Sequence, residues 1–117
     1  MKMNKVVSEI EEIAQEIKKF NKINNRYPKS LEEVFDYLLL DPWGNVYQYL
    51  KLEMISNKDK HKIRKNKNEK NINSKFDLYS MGPDGKSAAP LTANSSKDDI
   101  IYANDGYFIG EVVDYRY

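Results

Sequence analysis

The chain has 117 residues, a formal net charge of +1 and no cysteine. This length suits a single domain with one modest core. The near-zero charge gives no overall field that would attract nucleic acid or an acidic membrane. Without cysteine, neither a disulfide framework nor a thiolate metal site or nucleophile can form. No run of about eighteen apolar residues occurs, so the chain as given is expected to be soluble.

Residues 3–24 have the periodicity of an amphipathic helix. Apolar side chains recur every three or four positions, which places them on one stripe, and charged residues occupy the other faces. The stripe consists of Met3, Val6, Val7, Ile10, Ile13, Ala14, Ile17, Phe20 and Ile23. The pattern predicts a helix of about six turns that buries this stripe against the rest of the domain.

A short helix and a tight turn are predicted next. Asn25 and Pro28 interrupt the first helix, because neither favours its continuation. Ser30, followed three residues later by a glutamate, matches a capping box and predicts a short helix over residues 31–38. The DPWG sequence at 41–44 then predicts a chain reversal, because proline fixes φ and glycine tolerates positive φ.

The rest of the chain, residues 46–113, is predicted to form an antiparallel sheet of about four strands. Alternation of apolar and polar residues and an Asp-Gly turn signal define the strands. They are predicted at 46–55, 76–81, 100–103 and 107–113. With the long N-terminal helix packed on this sheet, the expected fold class is α+β.

Residues 56–75 connect the first two predicted strands. This segment is rich in lysine and asparagine and poor in apolar side chains, so burial cannot offset the cost of ordering it. We therefore expect a mobile loop. Its basic part, residues 58–70, contains no aromatic side chain on which a base could stack. A solvated loop without nucleic-acid binding is the prediction.

Asp84, Asp98 and Asp99 are candidate ligands for a hard cation. They lie at the two ends of the loop 81–99, and closure of that loop would bring their carboxylates together. Ca²⁺ binds roughly six to eight oxygen ligands and would relieve the repulsion between these carboxylates. Alternatively, Asp84 stabilises its own turn through an Asx hydrogen bond and the other two cap a turn before a strand. The spacing leaves both interpretations open.

No feature of the sequence indicates catalysis. The single histidine, His61, lies in the segment expected to be mobile, where a nucleophile and a base cannot be held in fixed geometry. The Gly-Pro-Asp-Gly sequence at 82–85 lacks the Lys-Ser/Thr ending of a phosphate-binding loop. We expect no enzymatic activity.

Four motifs carry a family resemblance. FNKINNRYP at 20–28, DPWGNVYQYL at 41–50, FDLYSMGPDGK at 76–86 and DDI at 98–100 occur in this order. Together they resemble the signature of the major pseudopilins (protein G) of type II secretion systems, which belong to the type IV pilin-like superfamily. The chain differs from that family in lacking its hydrophobic N-terminal segment, in its basic insertion and in residues 101–117.

The resemblance implies a pilin-like fold and a structural, non-enzymatic role. Such a subunit assembles through its N-terminal helix into a periplasmic filament that assists protein export across the outer membrane. The implied partners are copies of the chain itself, other pseudopilins and secretion-machinery proteins. The implied membrane contact is a segment upstream of this chain, which would anchor the full-length protein in the inner membrane.

The resemblance also implies a bound Ca²⁺. Its side-chain ligands would be Asp84 and one or both of Asp98 and Asp99, and backbone carbonyls, including that of Met81, would complete the set. A second interpretation keeps the fold and changes the role to a pilin-like minor subunit or a free-standing adhesion module. The tyrosines and the residues after Ile100 favour this alternative.

Overall fold

The structure is a computed structural model that describes residues 2–116. The chain begins with an α-helix, α1 (Lys2–Asn24), in agreement with the apolar spacing of its sequence. It ends where Asn25 adopts a positive φ of 56°, a conformation that asparagine tolerates better than most residues. In the described part of the chain, no helix combines the length and hydrophobicity that crossing a membrane requires.

Four strands follow α1 and form one antiparallel sheet. They are β1 (Gln48–Lys51), β2 (Phe76–Ser80), β3 (Ile100–Ala103) and β4 (Phe108–Glu111). Each strand pairs with its neighbour in the chain, so the spatial order is β1-β2-β3-β4. Because α1 packs on this sheet, the predicted α+β class is confirmed.

The face of the sheet that α1 covers contains the larger part of the core. Val6, Ile10 and Ile17 of α1 are fully buried there, against Phe76 and Ile100 of the sheet. Aromatic rings extend this layer, since the rings of Phe76 and Tyr102 stack with centroids 4.9 Å apart. The stripe predicted from the sequence is therefore the surface that holds the helix in place.

A second cluster covers the opposite face of the sheet. Tyr79 and Ile101 project into it from the strands, and loop residues Ile72 and Leu91 close it from outside. Met81 packs against its edge. The sheet is thus covered on both faces, and β2 alternates between them as its sequence predicts.

The β3–β4 hairpin forms at the Asp-Gly signal. Asn104, Asp105 and Gly106 all have positive φ, of 52°, 56° and 104°. Asparagine, aspartate and glycine are the residues that accept this conformation most readily. The hairpin turn predicted from the sequence is confirmed.

The prediction of a short helix over residues 31–38 is wrong, because the observed element is much shorter. Only one 3₁₀ turn, Leu31–Glu33, forms, and Leu38 is 63% exposed. The Glu33 carboxylate binds the Arg26 guanidinium at 2.7 Å and accepts the Lys29 amide. Because Glu33 is engaged in this way, the capping box does not form and the helix does not extend.

The predicted strand 46–55 is shorter in the structure. Regular pairing covers Gln48–Lys51, and one further hydrogen bond joins the Leu52 amide to the Lys75 carbonyl at 3.0 Å. Met54 then adopts a φ of 57° in a turn, which ends the extended conformation. The strand is therefore bounded by a turn that its apolar pattern did not indicate.

The segment 56–75 packs on the sheet at two points, contrary to the expectation of an unpacked loop. Ile63, Arg64, Ile72 and Asn73 are buried. Two of them bind the buried carboxylate of Asp77, which accepts the Arg64 amide at 2.8 Å and the Asn73 side-chain amide at 3.1 Å. Only the stretch 67–71 is wholly exposed between the two anchors.

A candidate cation site in the 81–99 loop

The loop 81–99 folds back on itself between β2 and β3, which is the closure that the candidate cation site requires. Gly82 begins a turn in which the Gly85 amide donates to its carbonyl at 3.2 Å. The φ of Gly82 is +70°, and a Cβ there would lie 2.3 Å from the Asp98 carbonyl oxygen. Only glycine allows this approach, which brings the first turn of the loop against its last residues.

Asp84 and Asp98 meet across this closed loop. The Asp84 amide donates to Asp98 Oδ2 at 3.2 Å. Burial raises the pKa of Asp98, and the negative charge of Asp84 adds to that effect. Asp84 Oδ1 also accepts the Lys86 amide at 2.9 Å, so the Asx hydrogen bond of the alternative interpretation is present as well.

Asp99 is fully buried next to Asp98. Its Oδ2 accepts the hydroxyl of Ser87, and its Oδ1 has no hydrogen-bond partner among the described residues. Burial raises the pKa of Asp99 to about 7, despite the opposing effects of the Ser87 hydrogen bond and the Arg64 charge. The environment therefore disfavours the ionised form of this carboxyl group.

Two carboxylate oxygens are left without partners at this place. Within residues 2–116, Asp98 Oδ1 and Asp99 Oδ1 are the buried carboxylate oxygens that lack a hydrogen bond. Buried polar atoms are nearly always satisfied, because an unpaired one costs roughly 1–3 kcal/mol. A hard cation would satisfy both, since oxygen is its preferred ligand.

The side chains do not form a complete ligand set by themselves. Among the described residues, no group of three or more His, Cys, Asp or Glu side chains is arranged to hold a metal ion. A cation bound here would therefore need backbone carbonyls and water in addition to the aspartates. Met81 directly precedes Gly82 and lies at the start of the loop, so the role of its carbonyl stays a prediction.

Residues of the DPWG turn support the loop from the side, a role that the sequence analysis missed. Asp41 is buried and accepts the amides of Trp43 and Asn45 at 3.0 and 2.9 Å and the Ser80 hydroxyl at 2.7 Å. The Asn45 side-chain amide donates to the Gly82 carbonyl at 3.1 Å. Through these bonds the first turn motif fixes the end of β2 and the beginning of the loop.

Comparisons with known proteins identify no family for this chain. No family model, no curated protein and no solved structure matches it. The pseudopilin resemblance therefore depends on the sequence motifs alone.

Proposed function

We propose that this chain is the globular part of a filament subunit of the type II secretion pseudopilin kind. It would be a non-enzymatic, periplasmic protein whose partners are copies of itself, other pseudopilins and secretion-machinery proteins. One observation carries the proposal: closure of the 81–99 loop brings the GPDG and DDI motifs together, with buried carboxylate oxygens left unsatisfied. The long helix packed on an antiparallel sheet is the fold that the resemblance implies.

The structure changes how such a subunit would assemble. The resemblance implies assembly through the N-terminal helix, but Val6, Ile10 and Ile17 are covered by the chain's own sheet. These three side chains are not available to a neighbouring subunit, although Ile23, at the end of the same stripe, is 73% exposed. Contacts between the globular parts must therefore use other surfaces, while a segment upstream of this chain would supply the axial packing and the inner-membrane anchor.

We also propose that Ca²⁺ binds in the 81–99 loop. Asp84, Asp98 and Asp99 would supply side-chain oxygens, and backbone carbonyls, including that of Met81, would supply others. When bound, the ion would neutralise the clustered carboxylates and hold the loop closed. The loop would then present a fixed surface to neighbouring subunits.

Thermal unfolding tests the calcium site. A ligand that binds only the folded state stabilises it by about 2.7 kcal/mol at a hundredfold excess over Kd, which raises the midpoint of a domain this size by roughly 10 °C. We expect millimolar Ca²⁺ to raise the midpoint relative to chelator. Asp99→Asn should abolish the difference, and Asp59→Asn, in the other loop, should preserve it. Identical unfolding midpoints in Ca²⁺ and in chelator would reject the calcium site.

The filament role is tested with the gene and in cells. We expect the reading frame upstream of the Met1 codon to encode a short basic tip, a processing site and about twenty apolar residues. Antibodies against the 117-residue chain should then detect the full-length protein in the filament fraction sheared from cells that overproduce it. A natural start at Met1, with the protein confined to the unsheared fraction, would contradict the proposal.

The adhesion-module alternative is favoured by one side chain. Tyr107 lies at the tip of the β3–β4 hairpin and is 96% exposed. Tyr115, further along the chain, instead packs into the second core cluster. The upstream sequence separates the two candidates, because a free-standing adhesion module needs no filament-forming segment.

A further inference from the structure

An apolar groove lies beside α1. It has a volume of about 590 Å³ and lies between α1 and residues 35–47, with Ile13 and Phe35 among its lining. Tyr37, Leu38 and Leu40 are 63%, 63% and 48% exposed along it. Large apolar side chains gathered in one exposed place mark an interaction surface more often than isolated ones do.

The helix side of this groove is acidic. Glu9, Glu12 and Glu16 project from successive turns of α1 and line it, and none of the described lining residues is basic. Glu9 accepts the hydroxyl of Tyr47 across the groove floor, and Glu16 has only a 3.5 Å contact with Lys19 at the surface. An occupant should therefore combine an apolar side chain with positive charge.

The chain itself carries such an element on another surface. Met54 is 92% exposed at the tip of the turn that follows β1. The 3₁₀ turn Asn57–Lys62 comes next and exposes Lys58 and Lys60, while Lys62 pairs with Asp59 at 3.1 Å. We name residues 54–62 the basic knob. The groove and the basic knob lie beyond opposite ends of β1, and Met54 is not among the residues that line the groove of its own copy.

We propose that the groove of one copy binds the basic knob of a second copy. Met54 would enter the apolar part of the groove, and the lysines would face the three glutamates. The two surfaces differ, so the contact is heterologous: each pair keeps one free groove and one free knob, and further copies can add in a row. This inference rests on the proposed filament role and supplies a contact that the buried stripe of α1 cannot make.

Disulfide trapping tests the contact directly. The chain contains no cysteine, so Leu38→Cys and Met54→Cys each introduce a single thiol. The two variants are mixed in equal amounts and mildly oxidised, and one of them carries a size tag so that mixed dimers can be told apart on a gel. We expect the yield of mixed dimer to be at least fivefold higher than the yield of homodimer from either variant oxidised alone. Tyr107→Cys, on the β3–β4 hairpin tip and outside both the groove lining and the basic knob, replaces Met54→Cys in the control and should give only background.

Charge reversal distinguishes this specific contact from nonspecific association. Reversing two groove charges (Glu12→Lys with Glu16→Lys) in the Leu38→Cys chain should reduce the mixed dimer several-fold. Reversing two knob charges (Lys58→Glu with Lys60→Glu) in the Met54→Cys chain should do the same. Combining both reversed chains should restore the yield, and high salt should lower the wild-type yield.

Two results would overturn the inference. The first is efficient dimerisation of Leu38→Cys alone, which would mean that two grooves face each other. The second is a yield of mixed dimer that stays at background or does not change when the charges are reversed. Because sheared filaments and the calcium-dependent midpoint are measured separately, a negative trapping result with positive filaments would reject this contact and leave the proposed function standing.

Discussion

Two regions beside the sheet contain buried aspartates, and they differ in how many hydrogen bonds the carboxylate oxygens accept. On β2, Asp77 is 1% exposed and both carboxylate oxygens accept hydrogen bonds, from the Arg64 amide and the Asn73 side chain. In the 81–99 loop, Asp99 is fully buried, and one oxygen of Asp99 and one of Asp98 lack partners among the described residues. Burial raises the pKa of Asp77 and Asp99 alike.

The comparison shows that burial alone does not reveal what a carboxylate does. Asp77 is supplied with donors by the segment that covers it, so its role is to anchor that segment. Asp98 and Asp99 lie where the loop provides fewer donors than acceptors. An unsatisfied buried oxygen is the better indicator of a ligand site than a shifted pKa.

Removing Asp77 should have the largest effect. Asp77→Ala leaves the buried Arg64 amide and one of the two Asn73 side-chain N–H groups without an acceptor, so we expect the free energy of unfolding to fall by about 3 kcal/mol. Urea denaturation in the presence of chelator measures it. Asp99→Ala, under the same conditions, should cost clearly less. Equal losses would mean that the two regions are not different in kind.

Closure of the 81–99 loop should depend more on Gly82 than on Gly44, the glycine of the first turn. Gly82→Ala places a Cβ against the Asp98 backbone, so we expect a loss of about 2 kcal/mol and a weaker calcium response. Gly44→Ala is the matched control, because Gly44 also has positive φ, +88°, but open space around it. It should cost only about 1 kcal/mol. A calcium response unchanged in Gly82→Ala would separate the site from loop closure.

The pH dependence of stability tests the protonation of Asp99 separately. The pKa of an aspartate in the unfolded chain is about 4, whereas burial raises the pKa of folded Asp99 to about 7. Between these values the folded state binds more protons, so in chelator its stability should fall as pH rises. Asp99→Asn should flatten this fall, as measured by urea denaturation at pH 4.5 and 7.5. An equal slope in wild type and variant would show that Asp99 ionises normally.

Much of the fold follows from local sequence signals. The stripe of α1 and the Asp-Gly turn each specify their own element, because spacing and turn chemistry act within a few residues. The alternation of Phe76, Leu78 and Tyr79 likewise assigns the two faces of β2. The helix over 31–38 failed because Arg26, outside that window, binds Glu33 and removes it from the capping box.

The site was only partly predictable for a similar reason. The glycines at 82 and 85 indicate a turn, and the fold-back of the loop onto Asp98 follows from it. The donor from Asn45 to Gly82 spans 37 positions and has no local signal. Likewise, the average polarity of residues 56–75 concealed Ile63 and Ile72, whose placement rather than number anchors the segment.

The strand order has a consequence for the newly made chain. α1 is synthesised before the strands it packs against, β2 to β4, the last of which ends at Glu111. Until β4 is made, the strands that cover the apolar residues of α1 are incomplete, so translation passes through an aggregation-prone intermediate. A nascent-chain chaperone should therefore bind α1, and a premature stop before β4 should yield material for proteolysis.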